Sequence, residues 1–126
     1  MDIKGVKMDD FFNAIRKEIS IVKGDTLAFN FQLQGLNGVD PDEMALTCRD
    51  KPEDNDYNFK VYKGHGITRT SYNAENDTLT YSVRVPPAST NIVAGRYYYD
   101  LEINVNGDVI TLMRGRLNVE WDVTRG

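Results

Sequence analysis

Residues 95–121, GRYYYDLEINVNGDVITLMRGRLNVEW, place two long alternating runs on either side of Asn106-Gly107. Asn-Gly between such runs is the strongest short-range hairpin signal, because both residues tolerate the positive φ of a tight turn. Tyr97, Tyr99, Leu101, Ile103 and Val105 share one face of the first run; Arg96, Tyr98, Asp100, Glu102 and Asn104 share the other. That period of two is what a half-buried strand requires. The register of the second run stays open. A two-residue loop pairs Ile103 with Ile110 and Leu101 with Leu112, yet Leu117, Val119 and Trp121 then fall on the opposite parity. Either a bulge near Gly115 resets the faces, or a loop of residues 106–108 pairs Leu101 with Met113 and Tyr97 with Leu117. Gly115 suits a bulge, and equally suits close packing beneath Tyr99.

The same period recurs along the chain. Leu27, Phe29, Phe31 and Leu33 alternate with Ala28, Asn30 and Gln32; Met44, Leu46 and Cys48 form another inner face, with Cys48 as a small core hydrophobe. Ile19 and Ile21, Phe59 and Val61, residues 67–72, and Leu79, Tyr81, Val83 and Val85 supply further strands. Turn-compatible residues separate them: Lys23-Gly24-Asp25, Asn37-Gly38, Asp40-Pro41, the polar residues 50–58, Gly64-His65-Gly66 and residues 73–77. Pro86-Pro87 end a strand because proline cannot donate to a ladder, and residues 88–94 are expected to cross between sheets with one helical turn. Seven or eight short strands with little helix predict an all-β fold, an Ig-like antiparallel β-sandwich, with a closed barrel as the alternative. The chain's 126 residues suit one domain. That domain is expected over residues 18–126, preceded by an N-terminal arm of residues 1–17. Asp9 and Asp10 would cap a short helix there, with Phe11, Phe12 and Ile15 on one stripe and Arg16 and Lys17 near its end. Such a stripe needs cover, from its own domain or from a neighbouring subunit.

Composition excludes several function classes. A net charge of −4 and a pI near 4.9 weigh against nucleic acid as a partner. No apolar run approaches the ~20 residues of a membrane-spanning helix, and the first residues lack a signal peptide's apolar core, so no membrane is expected. One cysteine, Cys48, excludes an intrachain disulfide, and one histidine, His65, removes most zinc and triad designs. No catalytic residue, cofactor or metal site is therefore expected. Asp50, Glu53, Asp54 and Asp56 lack the spacing of a calcium loop and are read as solvated charge. Asp40, Asp42 and Glu43 are read in the same way, with Asp40 or Asp42 fixing a local turn. His65 is read as a solvated hairpin tip, and Asn76-Asp77-Thr78, which matches a glycosylation pattern, as a turn.

Tyr97-Tyr98-Tyr99 has the composition of a sugar-stacking platform. In a sandwich, however, Tyr97 and Tyr99 point inward and only Tyr98 faces out. Tyr97, just after Ala94-Gly95, is placed to act as a tyrosine corner whose hydroxyl bonds nearby backbone. Arg114 and Arg116 are expected on the side of Asp100 and Tyr98, where ion pairing and a cation–π contact contribute about 0.2–1 kcal/mol per pair. Tyr98, Arg114 and Arg116, with Phe11, Phe12 and Ile15 of the arm, are the candidate partner contacts.

These motifs also carry a resemblance. Lys23-Gly24-Asp25-Thr26, Gly95-x-Tyr97-x-Tyr99-Asp100-Leu101-Glu102-Ile103, and Leu112-x-Arg114-Gly115-Arg116-Leu117-x-Val119 with Val123-Thr124-Arg125 resemble small Ig-like β-sandwich proteins of tailed-phage structural modules. They are similar also to the N-terminal domain of phage baseplate upper proteins, over roughly residues 18–125. The resemblance implies a non-enzymatic virion component of tail, baseplate, neck or head decoration. It would be made in the host cytoplasm and work as a homo-oligomer or with other virion proteins. The alternative is a carbohydrate-binding or adhesin-like sandwich. Exposure of Tyr57, Tyr62, Tyr72 and Tyr98 separates the two.

Overall fold

The register of the central hairpin combines both expectations. In the computed structural model, which describes the backbone of residues 3–7 and residues 14–123 throughout, strands Gly95–Val105 (β9) and Asp108–Glu120 (β10) are joined by Asn106-Gly107, both at positive φ. Ile103 pairs with Ile110 as the two-residue loop demands, yet Leu101 pairs with Met113 and Tyr97 with Leu117. The shift falls between Thr111 and Met113, so the extra residue is Leu112 rather than Gly115. Both Leu112 and Met113 are buried, which places the bulge where two consecutive apolar side chains enter the core.

Eight further strands precede the hairpin: Ile3–Lys7 (β1), Ile15–Arg16 (β2), Ile19–Val22 (β3), Leu27–Gln34 (β4), Glu43–Arg49 (β5), Phe59–Lys63 (β6), Gly66–Asn73 (β7) and Thr78–Val85 (β8). One helical turn, Pro87–Thr90 (α1), links β8 to β9. The strand path is β1-β4-β8-β7-β6-β5-β9-β10-β2, with β3 also on β10, curled over a single core as an all-β sandwich. It differs from the expected antiparallel sandwich in two respects. The segment expected to be an arm contributes two short strands, β1 and β2, beyond the expected β3, which raises the count. Strand β1 pairs in parallel with β4, and β2 and β3 with β10, and β6 and β7 also bridge in parallel, so the sheet is mixed. Ile15 and Arg16 are strand rather than the end of a helix; Phe11 and Phe12 lie outside the described residues.

Two corners close the sandwich. At Gly64-His65-Gly66 the chain passes from β6 to β7, which bridge only at Tyr62–Gly66 and Lys63–Ile67. A Cβ on Gly66 would lie 2.6 Å from that of Val61, and its φ of +103° suits only glycine. At the other corner residues 23–26 carry the chain from β3, beside β10, to β4 at the far end of the strand path. Lys23 N donates to Glu120 O at 2.8 Å, Gly24 N to Thr90 O at 3.2 Å, and Thr90 Oγ1 to Asp25 O at 2.6 Å. Thr90 is fully buried, so its hydroxyl bond satisfies a group that water cannot reach. Alternation does the rest. The inward residues of β4, β8 and β9 are buried, Phe31 stacks on Tyr81 with centroids 5.1 Å apart, and Cys48 lies in the core, where burial pushes its thiol pKa up to about 12.

Gly115 serves close packing. It sits opposite Tyr99, and a Cβ there would collide with the Lys17 carbonyl, which accepts the Tyr99 hydroxyl at 2.5 Å. Lys17 N in turn donates to Arg114 O at 3.1 Å. Gly115→Ala should therefore destabilise the fold by about 1–3 kcal/mol in urea unfolding, the range for overpacking; a loss below about 0.5 kcal/mol, typical of open surface, would contradict this contact.

Candidate interaction face

The outer face of β5, β9 and β10 is built from two cross-strand rows. In one, Tyr98 pairs with Arg49 of β5 on one side and Arg116 of β10 on the other. In the next, Asp100 pairs with Thr47 and Arg114, and Arg114 pairs with Arg16 of β2. Apart from the buried Thr47, these side chains, with Glu102, Thr111, Pro52 and the surface of Tyr99 and Gly115, line a groove of about 340 Å³. Four arginines thus face two carboxylates, on a chain whose net charge is −4.

The charges are unevenly satisfied. Arg49 Nη1 binds Asp100 Oδ2 at 3.2 Å, whereas Arg49 Nε is shut off from solvent without an acceptor. Among the described residues, no carboxylate lies within 4.0 Å of Arg16, Arg114 or Arg116, and no cation sits over the Tyr98 ring. The expected pairing of Arg114 or Arg116 with Asp100 is thus taken by Arg49, which strand order alone brings beside Asp100. Burial raises the Asp100 carboxyl pKa despite Arg49 and Arg114, and raises Glu102 with help from neighbouring Asp100.

The structure brings Tyr98, Arg114 and Arg116 together in the groove, with Tyr98 half-buried. Ile15 lies beyond it on the edge strand, 38% exposed. Tyr97 donates its hydroxyl to Val93 O at 2.5 Å, the tyrosine corner expected of it. The acidic residues after β4 hold long-range contacts rather than a local turn: Asp40 accepts from Tyr81 Oη at 2.7 Å and lies 3.6 Å from Arg69, while Asp42 accepts from Asn106 N at 3.1 Å. In the acidic loop, Asp50 accepts from Asn58 and Asp54 from Lys51 N.

A second groove, of about 430 Å³, lies on the outer face of β5 and β6, between Asp42, Glu43, Lys60, Lys63, Tyr57 and Tyr62. Tyr57 and Tyr62 are exposed, 58% and 45%; Lys60 lies 6.0 Å from the Tyr57 ring centre, and His65 packs on Tyr62 at 4.7 Å. Tyr72 is half-buried and donates to Asp77, whose carboxylate also accepts from Asn37 N and Gly38 N.

No protein-family model and no curated protein matches the chain. Among solved structures it is similar to AggA, the major subunit of aggregative adherence fimbriae type I from Escherichia coli. That similarity is at 12% identity and a TM-score of 0.41, over 81% of this chain and 89% of that one.

The raised carboxylates give a signed pH dependence. A group whose folded pKa lies above its unfolded value binds protons more readily when folded, so it adds stability as pH falls toward the ordinary carboxylate range. As pH falls toward the ordinary carboxylate range, thermal melts of Glu102→Gln should gain less than those of the wild type; an unaltered pH profile in the variant would contradict the assignment.

Proposed function

We propose that this chain is a non-enzymatic structural subunit of a tailed-phage virion, a component of tail, baseplate, neck or head decoration. In this reading it is made in the bacterial cytoplasm and acts by docking neighbouring subunits through the outer face of β5, β9 and β10. The observation that carries the reading is the groove around Tyr98: a half-buried aromatic between arginines in register, with most of its cations unpaired. Arginine and tyrosine are the residues that dominate binding energy at interfaces, and unpaired cations on an acidic chain favour recognition of an acidic partner surface. The resemblance of residues 18–125 to phage structural sandwiches supplies the virion context. A second reading, a carbohydrate-binding module, draws on Tyr57 and Tyr62, two exposed rings on one groove flanked by carboxylates and lysines able to bond hydroxyls.

Tyr98→Ala combined with Arg114→Ala separates the readings. The double variant should keep its fold yet be incorporated into sedimenting virion particles at least about tenfold less than the wild type, the loss expected of a hot-spot pair. Tyr57→Ala combined with Tyr62→Ala should be incorporated normally. Wild-type incorporation of the first variant would contradict the assembly face; glycan binding by the wild type that the second variant loses would favour the carbohydrate reading.

A further inference from the structure

The arginine groove has an acidic counterpart on the same chain. Residues 50–56, DKPEDND, follow β5 directly, and Pro52 within them forms part of the groove's lining. Glu53 and Asp56 are exposed and, among the described residues, make no ion pair or side-chain hydrogen bond. The loop therefore does not neutralise the groove beside it. Unpaired carboxylates thus follow, within four residues, a proline that lines the groove of the unpaired arginines, without pairing with them.

The groove also holds a like-charge pair. Arg16 of β2 stands in register with Arg114 of β10, and both line the groove. Like charges directly opposite across strands repel, and an isolated chain gains nothing from that placement. An anion seated between them turns repulsion into attraction. Arg49, whose ion pair is to Asp100, adds a third cation to the same lining. A dense polyanion such as nucleic acid is a poor occupant, because Asp100 and Glu102 line the same groove and the chain is acidic as a whole. A polypeptide segment carrying a few separated carboxylates suits it better.

A surface made of two complementary halves side by side is what a two-fold axis uses. Rotation about an axis between the halves lays each loop on the other chain's groove, so every contact occurs twice. We infer that this face pairs with a second copy of the chain, Glu53 and Asp56 of each copy entering the groove framed by Arg16, Arg114 and Arg116 of the other. This deepens the proposed assembly role by naming the partner and the chemistry of the contact.

Charge swapping tests it on the full chain. In sedimentation equilibrium the wild type should self-associate as a dimer at 50 mM NaCl and weaken more than about tenfold by 500 mM, as screening shortens the reach of the contact. Arg16→Glu with Arg116→Glu, and separately Glu53→Lys with Asp56→Lys, should each be monomeric while melting cooperatively near the wild-type temperature. An equimolar mixture of the two variants should form a one-to-one dimer, because the acidic groove and acidic loop of one then meet the basic loop and basic groove of the other. A monomeric wild type, self-association of either variant like the wild type, or a mixture that stays monomeric would each overturn the pairing. Should the wild type be monomeric while hexaglutamate shifts the arginine Nε resonances, the groove takes an acidic segment of another protein instead. A chain that is monomeric yet enters virion particles would sink this contact alone. One that dimerises as expected but never enters particles would sink the virion reading alone.

Discussion

The Lys17 carbonyl, seated over Gly115 and accepting the Tyr99 hydroxyl, is the contact on which the sandwich's closure depends. It fixes the N-terminal edge strand against β10 at the break between β2 and β3. From there the chain has only residues 23–26 in which to reach β4 at the other end of the strand path. Were β3 to slide along β10, Lys23 would lose Glu120 and Gly24 would lose Thr90. The buried Tyr99 hydroxyl makes sliding costly, because a buried donor without an acceptor loses about 1–3 kcal/mol. Burial pushes the pKa of that hydroxyl well above its ordinary value, so it remains a donor at any physiological pH.

The same seating positions the outer face. Arg16 reaches the groove only because β2 is in register with Arg114, one residue before Lys17. Thus one glycine and one tyrosine, both in the core hairpin, decide where a cation of the N-terminal segment stands. The inner face of β9 is spent on packing, through Tyr97, Tyr99, Leu101 and Ile103; its outer face is left for charge. Division of labour along one strand follows from the period of two and needs no further device.

Inner faces were readable in the sequence wherever polar and apolar residues alternated, as in β4, β8 and β9. The tyrosine corner was readable because a tyrosine follows a turn at the start of a long strand. Parity revealed that the register must shift and left two sources open, a bulge near Gly115 or a three-residue loop, whereas the extra residue is Leu112. A leucine can occupy a bulge when its neighbour Met113 is also buried, and alternation cannot reveal that. The strand through Ile19 and Ile21 was readable, but β1 and β2 were missed because their partners lie far away in sequence and each is short. Arg49 and Arg16 were missed for the same reason. Their place beside Tyr98 and Arg114 follows from which strands are neighbours, and strand order is a tertiary property. Asp42, read as a local turn former, holds the Asn106-Gly107 turn from the far side of the chain.

The hairpin is packed on one face and offers an arginine-framed, tyrosine-centred groove on the other. The most direct measurement is an electron cryo-microscopy map of the chain in the virion particle proposed for it. The account predicts that Tyr98, Arg16 and Arg116 lie beneath a neighbouring subunit's carboxylates, with the Tyr57–Tyr62 groove open to solvent. A map in which the arginine groove faces solvent while the Tyr57–Tyr62 groove is the covered or occupied surface would contradict it.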